Sequence, residues 1–353
     1  MDGSDVDLDN LGGHGKDTAT LQMVAERAQV SPSTVSRILN GTARVSNEKR
    51  AAVEKAIADL EFRPNPTARS LAGGKTMSVG VLTQYIDSPF YGAAIRGIED
   101  ALTEVGYTPI VTSGSWDPKL ERERIKSLLD RKVDGLIVLT SQLSDGDLID
   151  ISRRVPLVVT GKTLRGENLT SISFDNFKSG QLAAQHLLNL GHTQLAVILG
   201  AMGHGDSELR YQGILQGLEA RNIDVDPSLV VVGDYHESGG HRAMKQIISA
   251  GKPFSGVIAL NDQMAFGAML AMSQAGLRVP EDVSIVGMDN IAHSAFTTPP
   301  LSSVSQPIYE IGRATAESLL VGLTRRSWTS STTEPRYLGP ELLVRNSTRR
   351  LFR

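Results

Sequence analysis

The stretch LQMVAERAQVSPSTVSRILNG, residues 21–41, decides the fold of the first part of the chain. Its first half predicts an amphipathic helix, because apolar residues recur at helical spacing at Leu21, Val24, Ala25 and Ala28. The second half predicts another helix, with Ser31 as its cap and Pro32 in the first position, where a missing N–H costs nothing. Only the short segment AQVS separates the two patterns. The stretch therefore predicts a helix-turn-helix pair.

A third helix is predicted to begin after Ser46 and to bury Val53, Ile57 and Leu60. In a helix-turn-helix unit the second helix enters the DNA major groove, and its first residues meet the base edges. An arginine one turn on can bind guanine or a phosphate. A plain three-helix bundle without DNA contacts is the alternative. The residues predicted to contact DNA here are Thr20, Ser31, Pro32, Ser33, Thr34, Ser36, Arg37 and Asn40.

The segment that follows, FRPNPTARSLAGGKT at residues 62–76, is bounded by prolines and by a glycine pair. The residues between them make barely two turns, too few for a stable isolated helix. A passive linker is one interpretation of this pattern. The other interpretation depends on a resemblance to a known family.

Residues 21–76 resemble the DNA-binding head of the lac/galactose repressor family nearly position by position, above all in VSPSTVSRILNG and FRPNPTARSL. Met23 departs from the family pattern, which usually has an acidic residue there. The resemblance extends over roughly residues 18–346 and implies a hinge helix that forms on operator DNA and inserts a leucine into the minor groove. It adds Asn65, Ala68, Arg69 and the wedge residue Leu71 to the predicted DNA contacts.

Beyond Met77 the pattern changes to repeated strand–helix units. Continuous apolar strands indicate parallel sheets that are buried on both faces. More than 250 residues of this pattern suggest two doubly wound lobes, which bind ligands beyond the carboxyl ends of their strands. The eight predicted strands are SVGVLT, TPIVTS, DGLIVLT, PLVVTG, QLAVILG, LVVVGD, GVIALN and VSIVGM.

The resemblance implies a periplasmic-binding-protein-like core in which the chain crosses three times between the lobes, with an effector in the cleft. The expected domains are a disordered tail at 1–17, a helix-turn-helix domain at 18–64, a hinge and linker at 65–75, and a core at 76–346. Lobe 1 is expected at about 76–173 and 304–333, lobe 2 at about 174–303 and 334–346, and a second tail at 347–353.

Polar and aromatic residues gather where that cleft is expected. Arg210, Tyr235 and Asp289 match positions that contact effectors in the family. A carboxylate, an arginine, an amide and an aromatic ring suit a carbohydrate. Purely structural roles stay open as alternatives. Asp175 and Asp262 would then cap helices, Asn261 would hold a loop in place, and the aromatic residues would pack in the cleft wall. The predicted effector-binding residues are Asp87, Ser88, Phe90, Asp175, Arg210, Tyr235, Asn261, Asp262 and Asp289.

Composition narrows the function classes. The chain has no cysteine, so disulfides and thiolate sites are excluded. Its seven histidines lack metal-ligand spacing, and His236 and His241 are expected at the surface. We therefore predict no metal and no cofactor. Residues 17–75 carry nine Lys or Arg against six Asp or Glu, while the net charge of the whole chain is −3. A basic head before an acidic body fits a DNA-binding regulator.

Two other classes of protein share some of these features. A sugar-uptake binding protein would lack the head, and no secretory signal or membrane span is evident, so a cytoplasmic location is expected. An enzyme is disfavoured because no phosphate loop or G-x-S-x-G motif occurs. The sequence thus predicts a repressor that binds a palindromic operator as a homodimer, modulated by a small molecule, most simply a sugar. The helix with sequence YGAAIRGIEDALTEV, residues 91–105, is expected to take part in dimerisation.

Overall fold

A computed structural model describes residues 19–39, 45–62, 75–201, 205–324 and 336–351. The chain divides between Thr76 and Met77 into two compact units. The predicted DNA contacts Asn40, Asn65, Ala68, Arg69 and Leu71 lie outside the described residues.

The described residues of the first unit form three helices, α1 (Leu21–Arg27), α2 (Pro32–Leu39) and α3 (Asn47–Asp59). The Oγ1 of Thr20 accepts from Met23 N at 3.3 Å, so α1 is capped despite the unusual methionine. Ser46 caps α3 in the same way. The predicted apolar faces meet in one small core, formed by Val24, Ala25, Val35, Ile38, Val53, Ala56 and Phe62.

In the second unit, the residues that the structure describes form two six-stranded sheets, and all eight predicted strands are present. The first sheet has the order β11-β5-β4-β3-β1-β2 and the second β12-β10-β9-β8-β6-β7. Every described pairing is parallel except that of β10 with β12. The strands are β1 (Ser78–Thr83), β2 (Thr108–Ser113), β3 (Gly135–Val138), β4 (Leu157–Thr160), β5 (Leu169–Phe174), β6 (Leu195–Leu199), β7 (Val230–Val232), β8 (Gly256–Ala259), β9 (Ser284–Asp289), β10 (Ser302–Ser305), β11 (Arg336–Leu338) and β12 (Glu341–Leu343).

Helices cover these sheets and bury continuous apolar strands beneath them. The helices are α4 (Pro89–Thr103), α5 (Pro118–Asp130), α6 (Asp145–Ser152), α7 (Asn176–Asn189), α8 (Gly205–Glu219), α9 (Glu237–Ser249), α10 (Asp262–Gln274) and α11 (Ile308–Thr324). The second unit is therefore the two-lobed, doubly wound α/β core that the sequence predicted.

The described chain passes three times between the sheets, after β5, after β10 and after β11. The expectation that residues 334–346 belong wholly to lobe 2 is wrong, because β11 pairs in parallel with β5 in the first sheet. Only β12 lies in the second sheet, beside β10. Each of these strands is three residues long, too short to show a periodic pattern.

Residues 347–351 pack on the second sheet rather than forming a free tail. Ser347 is fully buried, and its Oγ donates to Ile285 O at 2.7 Å. The imidazole of His192 lies within hydrogen-bond distance of Arg349 O, at 3.0 Å. Backbone and hydroxyl contacts of this kind follow no apolar periodicity, so the sequence pattern does not reveal them.

Three pairs of neighbouring helices approach each other at reciprocal glycines. A Cβ atom on any of the six glycines would lie 1.8–2.2 Å from a carbonyl oxygen of the partner helix. Real Cβ atoms do not come so close, so these crossings require glycine. The pairs are Gly97 with Gly312 (α4 and α11), Gly180 with Gly213 (α7 and α8), and Gly240 with Gly267 (α9 and α10).

Candidate functional site

A cavity of about 260 Å³ opens between the carboxyl ends of the two sheets. Parallel sheets commonly bind ligands at this edge, because the strand–helix loops converge there. The first lobe contributes residues that follow β1, β2, β3 and β4, and the second lobe contributes residues that follow β6, β7, β8 and β9. The walls are formed by Tyr85, Ser88, Phe90, Tyr91, Trp116, Thr140, Ser141, Gln142, Gly161, Lys162, Gly205, Asp206, Arg210, Tyr235, His236, Asn261, Gln263 and Asp289.

Arg210 on α8 is the anchor of the second lobe's wall. Its Nη2 donates to Asp289 Oδ1 at 3.0 Å and to Gln306 Oε1 at 2.9 Å, and its Nη1 donates to Leu260 O. Burial opposes the charged form of Arg210, but Asp289 outweighs this and raises the pKa of the guanidinium above its ordinary value. The arginine therefore stays charged and links the end of β9 to the connection that follows β10.

Asp206 begins the same helix and lies one turn before Arg210. Its Oδ1 accepts from Asn176 Nδ2 at 2.8 Å, while Asn176 Oδ1 accepts from Arg210 Nε at 2.8 Å. Burial raises the pKa of Asp206 to about 6; Arg210 lowers this pKa, and Asp289 raises it further. Asn176 thus bridges the carboxylate and the guanidinium, which do not bond directly to each other.

Aromatic rings from both lobes face each other across the cavity. Trp116 and Tyr235 are nearly parallel, with ring centroids 6.3 Å apart and an interplanar angle of 22°. Tyr85 meets His236 edge to face, with a centroid distance of 4.7 Å. Tyr235 has a φ of 69°, and Asn261 Nδ2 donates to its carbonyl at 2.9 Å, which holds this left-handed backbone in place.

Behind the first lobe's wall lies a buried polar network around Glu121. Gln84 Nε2 donates to Glu121 Oε1 at 3.1 Å, Gln142 N donates to both carboxylate oxygens at 3.2 Å, and Ser141 Oγ donates to Oε2. Gln84 Oε1 also accepts from Trp116 N at 2.7 Å. Because these bonds end on the loops after β2 and β3, they determine where Trp116 stands in the cavity.

Six of the nine predicted effector residues lie on the cavity wall, namely Ser88, Phe90, Arg210, Tyr235, Asn261 and Asp289. Their contact with a ligand stays a prediction. Asn261 also has a structural role: its side chain accepts from Met264 N, which caps α10, and donates to the carbonyl of Tyr235.

The other three predicted effector residues lie elsewhere. Asp262 is fully buried and does not line the cavity, and its carboxylate accepts from Ile291 N, Ser294 Oγ and Ser303 Oγ. Asp175 caps α7 by accepting from Lys178 N at 2.8 Å, and it faces a neighbouring cavity. Asp87 is exposed at the outer rim and does not line the cavity.

Several wall residues were missed by the sequence analysis. Trp116 and Lys162 closely follow predicted strands and Thr140 ends one, so the strand-end rule could have found them. Asp206 lies four positions before Arg210, which the sequence analysis predicted to contact the effector. His236 was expected at the surface but lines the cavity beside Tyr85.

In the first unit, the residues that begin α2 are accessible. Ser31, Pro32, Ser33 and Arg37 are exposed, and Thr34 and Ser36 are half-buried. Ser31 Oγ accepts from Thr34 N at 3.2 Å, which confirms it as a cap, and Arg37 Nε donates to Ser33 O. Thr20 is the cap of α1, so its hydroxyl already has a partner in the unit.

Within the described parts of the chain, no helix is long and apolar enough to cross a membrane. In the same residues, no group of three or more His, Asp or Glu side chains is arranged to hold a metal ion.

Comparison with known proteins identifies the family. Residues 20–65 match the model for bacterial regulatory proteins of the lacI family, and residues 184–348 match a periplasmic binding protein-like domain. The HTH-type transcriptional repressor PurR of Serratia proteamaculans is 33% identical over 332 residues, which cover 93% of this chain and 96% of that protein. The chain belongs to the LacI family of bacterial regulatory proteins.

Solved structures of three transcriptional regulators are similar to this chain in fold. The lac repressor dimer bound to operator and the anti-inducer ONPF matches with a TM-score of 0.85 and 29% identity, covering 94% of this chain and all of that one. A complex of the transcriptional regulator CelR with cellobiose matches at 0.68 and 32% identity, covering 93% and 99%. An Enterococcus faecium regulator with bound ribose matches at 0.70 and 29% identity, covering 78% and 100%.

Proposed function

We propose that this chain is a transcriptional repressor that binds a near-palindromic operator as a homodimer and is released or modulated by a sugar or sugar derivative in the cleft. The observation that carries the proposal is the combination of an exposed, polar α2 start with a separate cavity lined by Arg210, Asp289 and aromatic rings. A DNA-reading helix and a small-molecule pocket in one chain are what a ligand-controlled regulator requires.

The DNA contacts are proposed from α2 outward. Ser33, Thr34 and Arg37 would read base edges or phosphates. Asn65, Ala68, Arg69 and the wedge residue Leu71 would act in the minor groove, as the family resemblance implies. One head makes too few contacts for useful specificity, so two heads on a two-fold site are needed.

A second copy of the chain is the proposed partner of an apolar surface on the second lobe. Phe296 is 86% exposed and Leu270 is 54% exposed, and half-buried Phe266 lines the grooves beside both of them. Exposed apolar patches of this kind mark interfaces. The lac repressor, with which the chain shares its fold, is described as a dimer on its operator. The outer face of α4 would supply the interface of the first lobe.

The proposal is tested first by selecting bound duplexes from a random DNA library with the purified full chain. We expect enrichment of a near-palindrome with two half-sites, bound by a dimer. A single half-site bound by a monomer with full affinity would contradict the homodimer. No enrichment at all would contradict sequence-specific DNA binding.

Two variants assign the DNA contacts. Arg37→Ala is expected to reduce the preference at one base position by about 1–3 kcal/mol, because a bidentate base contact is lost. Arg27→Ala is a matched control, since Arg27 pairs with Asp59 on α3 and is not predicted to read bases. Leu71→Ala is expected to weaken operator binding while leaving sugar affinity in the DNA-free protein unchanged.

The selected duplex then reports on the effector. Titration with neutral sugars, among them ribose and cellobiose, should change its affinity about 5- to 150-fold if coupling is of ordinary size. Arg210→Ala should abolish this response. Because it also leaves buried Asp289 without its partner, a thermal unfolding transition and retained operator binding are the controls that the variant is folded. Operator affinity that no sugar alters would contradict the effector half of the proposal.

A further inference from the structure

The charged groups of the cavity are almost all paired within the protein. Arg210 bonds to Asp289, and Lys162 Nζ donates to Leu143 O at 2.8 Å and to Asp145 Oδ1 at 2.9 Å. Both cations that line the cavity are therefore engaged by carboxylates or carbonyls. Asp206 is the remaining carboxylate on the wall, and no described cation pairs with it.

Only one hydrogen bond reaches Asp206 from the part of the chain that the structure describes, the bond from Asn176 to Oδ1. Its Oδ2 points across the cleft at the backbone of Gly161, where a Cβ atom would lie 3.3 Å from that oxygen. Gly161 has a φ of +73°, so glycine suits both its backbone and this close approach. The carboxylate oxygen that faces the cavity therefore has capacity to accept further donors.

The guanidinium of Arg210 lies one helical turn away, and four of its five N–H groups already donate to other groups of the protein. Its three nitrogens are directed at Asn176, Leu260 and the pair formed by Asp289 and Gln306. A ligand group that reaches Asp206 from the cavity would consequently meet a net negative charge. Hydroxyl donors are favoured there, and a second anion is repelled.

We propose that Asp206 selects the ligand of this cleft, accepting a pair of hydroxyl groups from a polyhydroxy compound that carries no anionic group. Sugar phosphates, sugar acids and nucleotides are excluded from the site by Asp206. The inference rests on the proposed function only in taking the cleft as the effector site. It adds the chemical class that the cleft admits and the residue that decides it.

Matched probes that differ in charge test this selection on the full chain. D-ribose, cellobiose and D-glucose are compared with ribose 5-phosphate, glucose 6-phosphate and gluconate by thermal shift and calorimetry, because a bound ligand raises the melting temperature. We expect at least one neutral sugar to bind and its anionic counterpart to bind at least about 10-fold more weakly, as two like charges in a confined site require.

Asp206→Asn keeps the shape of the side chain and the acceptor for Asn176 but removes the charge. We expect the neutral sugar to bind about 10- to 100-fold more weakly, the range for losing charge-assisted bonds, and the anionic counterpart to bind more tightly than to the wild type. Glu208→Gln removes an exposed charge from the same first turn of α8 and should leave both affinities within about 2-fold.

The inference is overturned if an anionic probe binds the wild type more tightly than its neutral counterpart, if Asp206→Asn matches Glu208→Gln, or if no neutral sugar of the panel binds. The operator duplex separates this result from the proposed function. An anionic ligand that changes operator affinity overturns the role of Asp206 and preserves the regulator. A neutral sugar that binds through Asp206 without changing operator affinity preserves the role of Asp206 and contradicts the effector half of the proposed function.

Discussion

Two carboxylates near the cleft, one in each lobe, are held very differently. Glu121, behind the first lobe's wall, is fully buried and accepts from Gln84, Ser141 and Gln142. Asp206, on the second lobe's wall, has a single described donor and borders the cavity. A saturated carboxylate stabilises its surroundings, whereas an unsaturated one costs stability and is available to a ligand. The number of hydrogen bonds thus separates a structural acid from a recognition acid.

The largest effect is expected at the buried ion pair between Arg210 and Asp289. Arg210→Met leaves Asp289 buried without its partner, which should lower the free energy of unfolding by about 3–5 kcal/mol. Urea denaturation measures the change. The double variant Arg210→Met, Asp289→Asn should recover part of the loss, because no uncompensated charge remains. Additive effects of the two substitutions would mean that the ion pair contributes nothing.

The next largest effect is the pH dependence that Asp206 gives to the free energy of unfolding. Burial raises its pKa to about 6 from an ordinary value of 3.8, so folding favours the protonated form. This contribution to stability is complete below pH 3.8 and is lost as the pH rises through about 6. Relative to Asp206→Asn, the ligand-free wild type should therefore lose up to about 2–3 kcal/mol between pH 4 and pH 7.5.

Other groups titrate over the same range, so the difference between the two proteins is the quantity to measure. Burial also raises the pKa of Asp262, to about 7, and lowers the pKa values of His186 and His192. These contributions are common to the wild type and to Asp206→Asn and cancel on subtraction. A difference that does not vary with pH would show that Asp206 is as well solvated in the folded chain as in the unfolded one.

A smaller effect is expected at Glu121, behind the first lobe's wall. Glu121→Gln replaces one carboxylate oxygen, which accepts from its neighbours, by an amide NH2 group, which cannot accept, at a cost of about 1–3 kcal/mol. The chain has two tryptophans, so a Trp328→Phe background makes Trp116 the sole reporter. Its fluorescence should shift when the loops after β2 and β3 relax. Glu123→Gln, exposed on the same helix, is the control and should shift neither signal.

The smallest effect is expected at Asp87, which is exposed and lies outside the cavity. Asp87→Asn should change stability by less than about 0.5 kcal/mol and sugar affinity by less than about 2-fold. Isothermal titration with whichever neutral sugar binds the wild type measures this. A larger loss of affinity would mean that ligand recognition extends to the rim of the cleft. It would also weaken the contrast between Glu121 and Asp206.

The strands could be predicted because buried parallel strands are continuous apolar runs, and SVGVLT and VSIVGM are almost uniform in this respect. The sheet to which β11 belongs could not, since pairing with β5 is a long-range contact made by three residues. The capping of α1 and α3 by Thr20 and Ser46 was local and followed from side-chain chemistry alone.

The site was harder to predict than the fold. Asn261 and Asp262 are neighbours at one strand end, yet only the first lines the cavity, because the turn into α10 directs the second toward Ser294 and Ser303. Which of two adjacent polar residues faces a cleft depends on this turn and not on composition. Asp206 escaped notice because it lies seven positions beyond the end of β6, where the strand-end rule no longer applies.

The reciprocal glycines at the helix crossings have a practical use in mutational scanning. At Gly97, Gly312, Gly180, Gly213, Gly240 and Gly267 any side chain collides with a backbone carbonyl. Losses at these six positions therefore report damage to the lobes and carry no information on ligand or operator. In a deep mutational library they serve as controls for loss of folding. A variant such as Asp206→Asn that loses ligand binding without the defects of these controls has changed recognition alone.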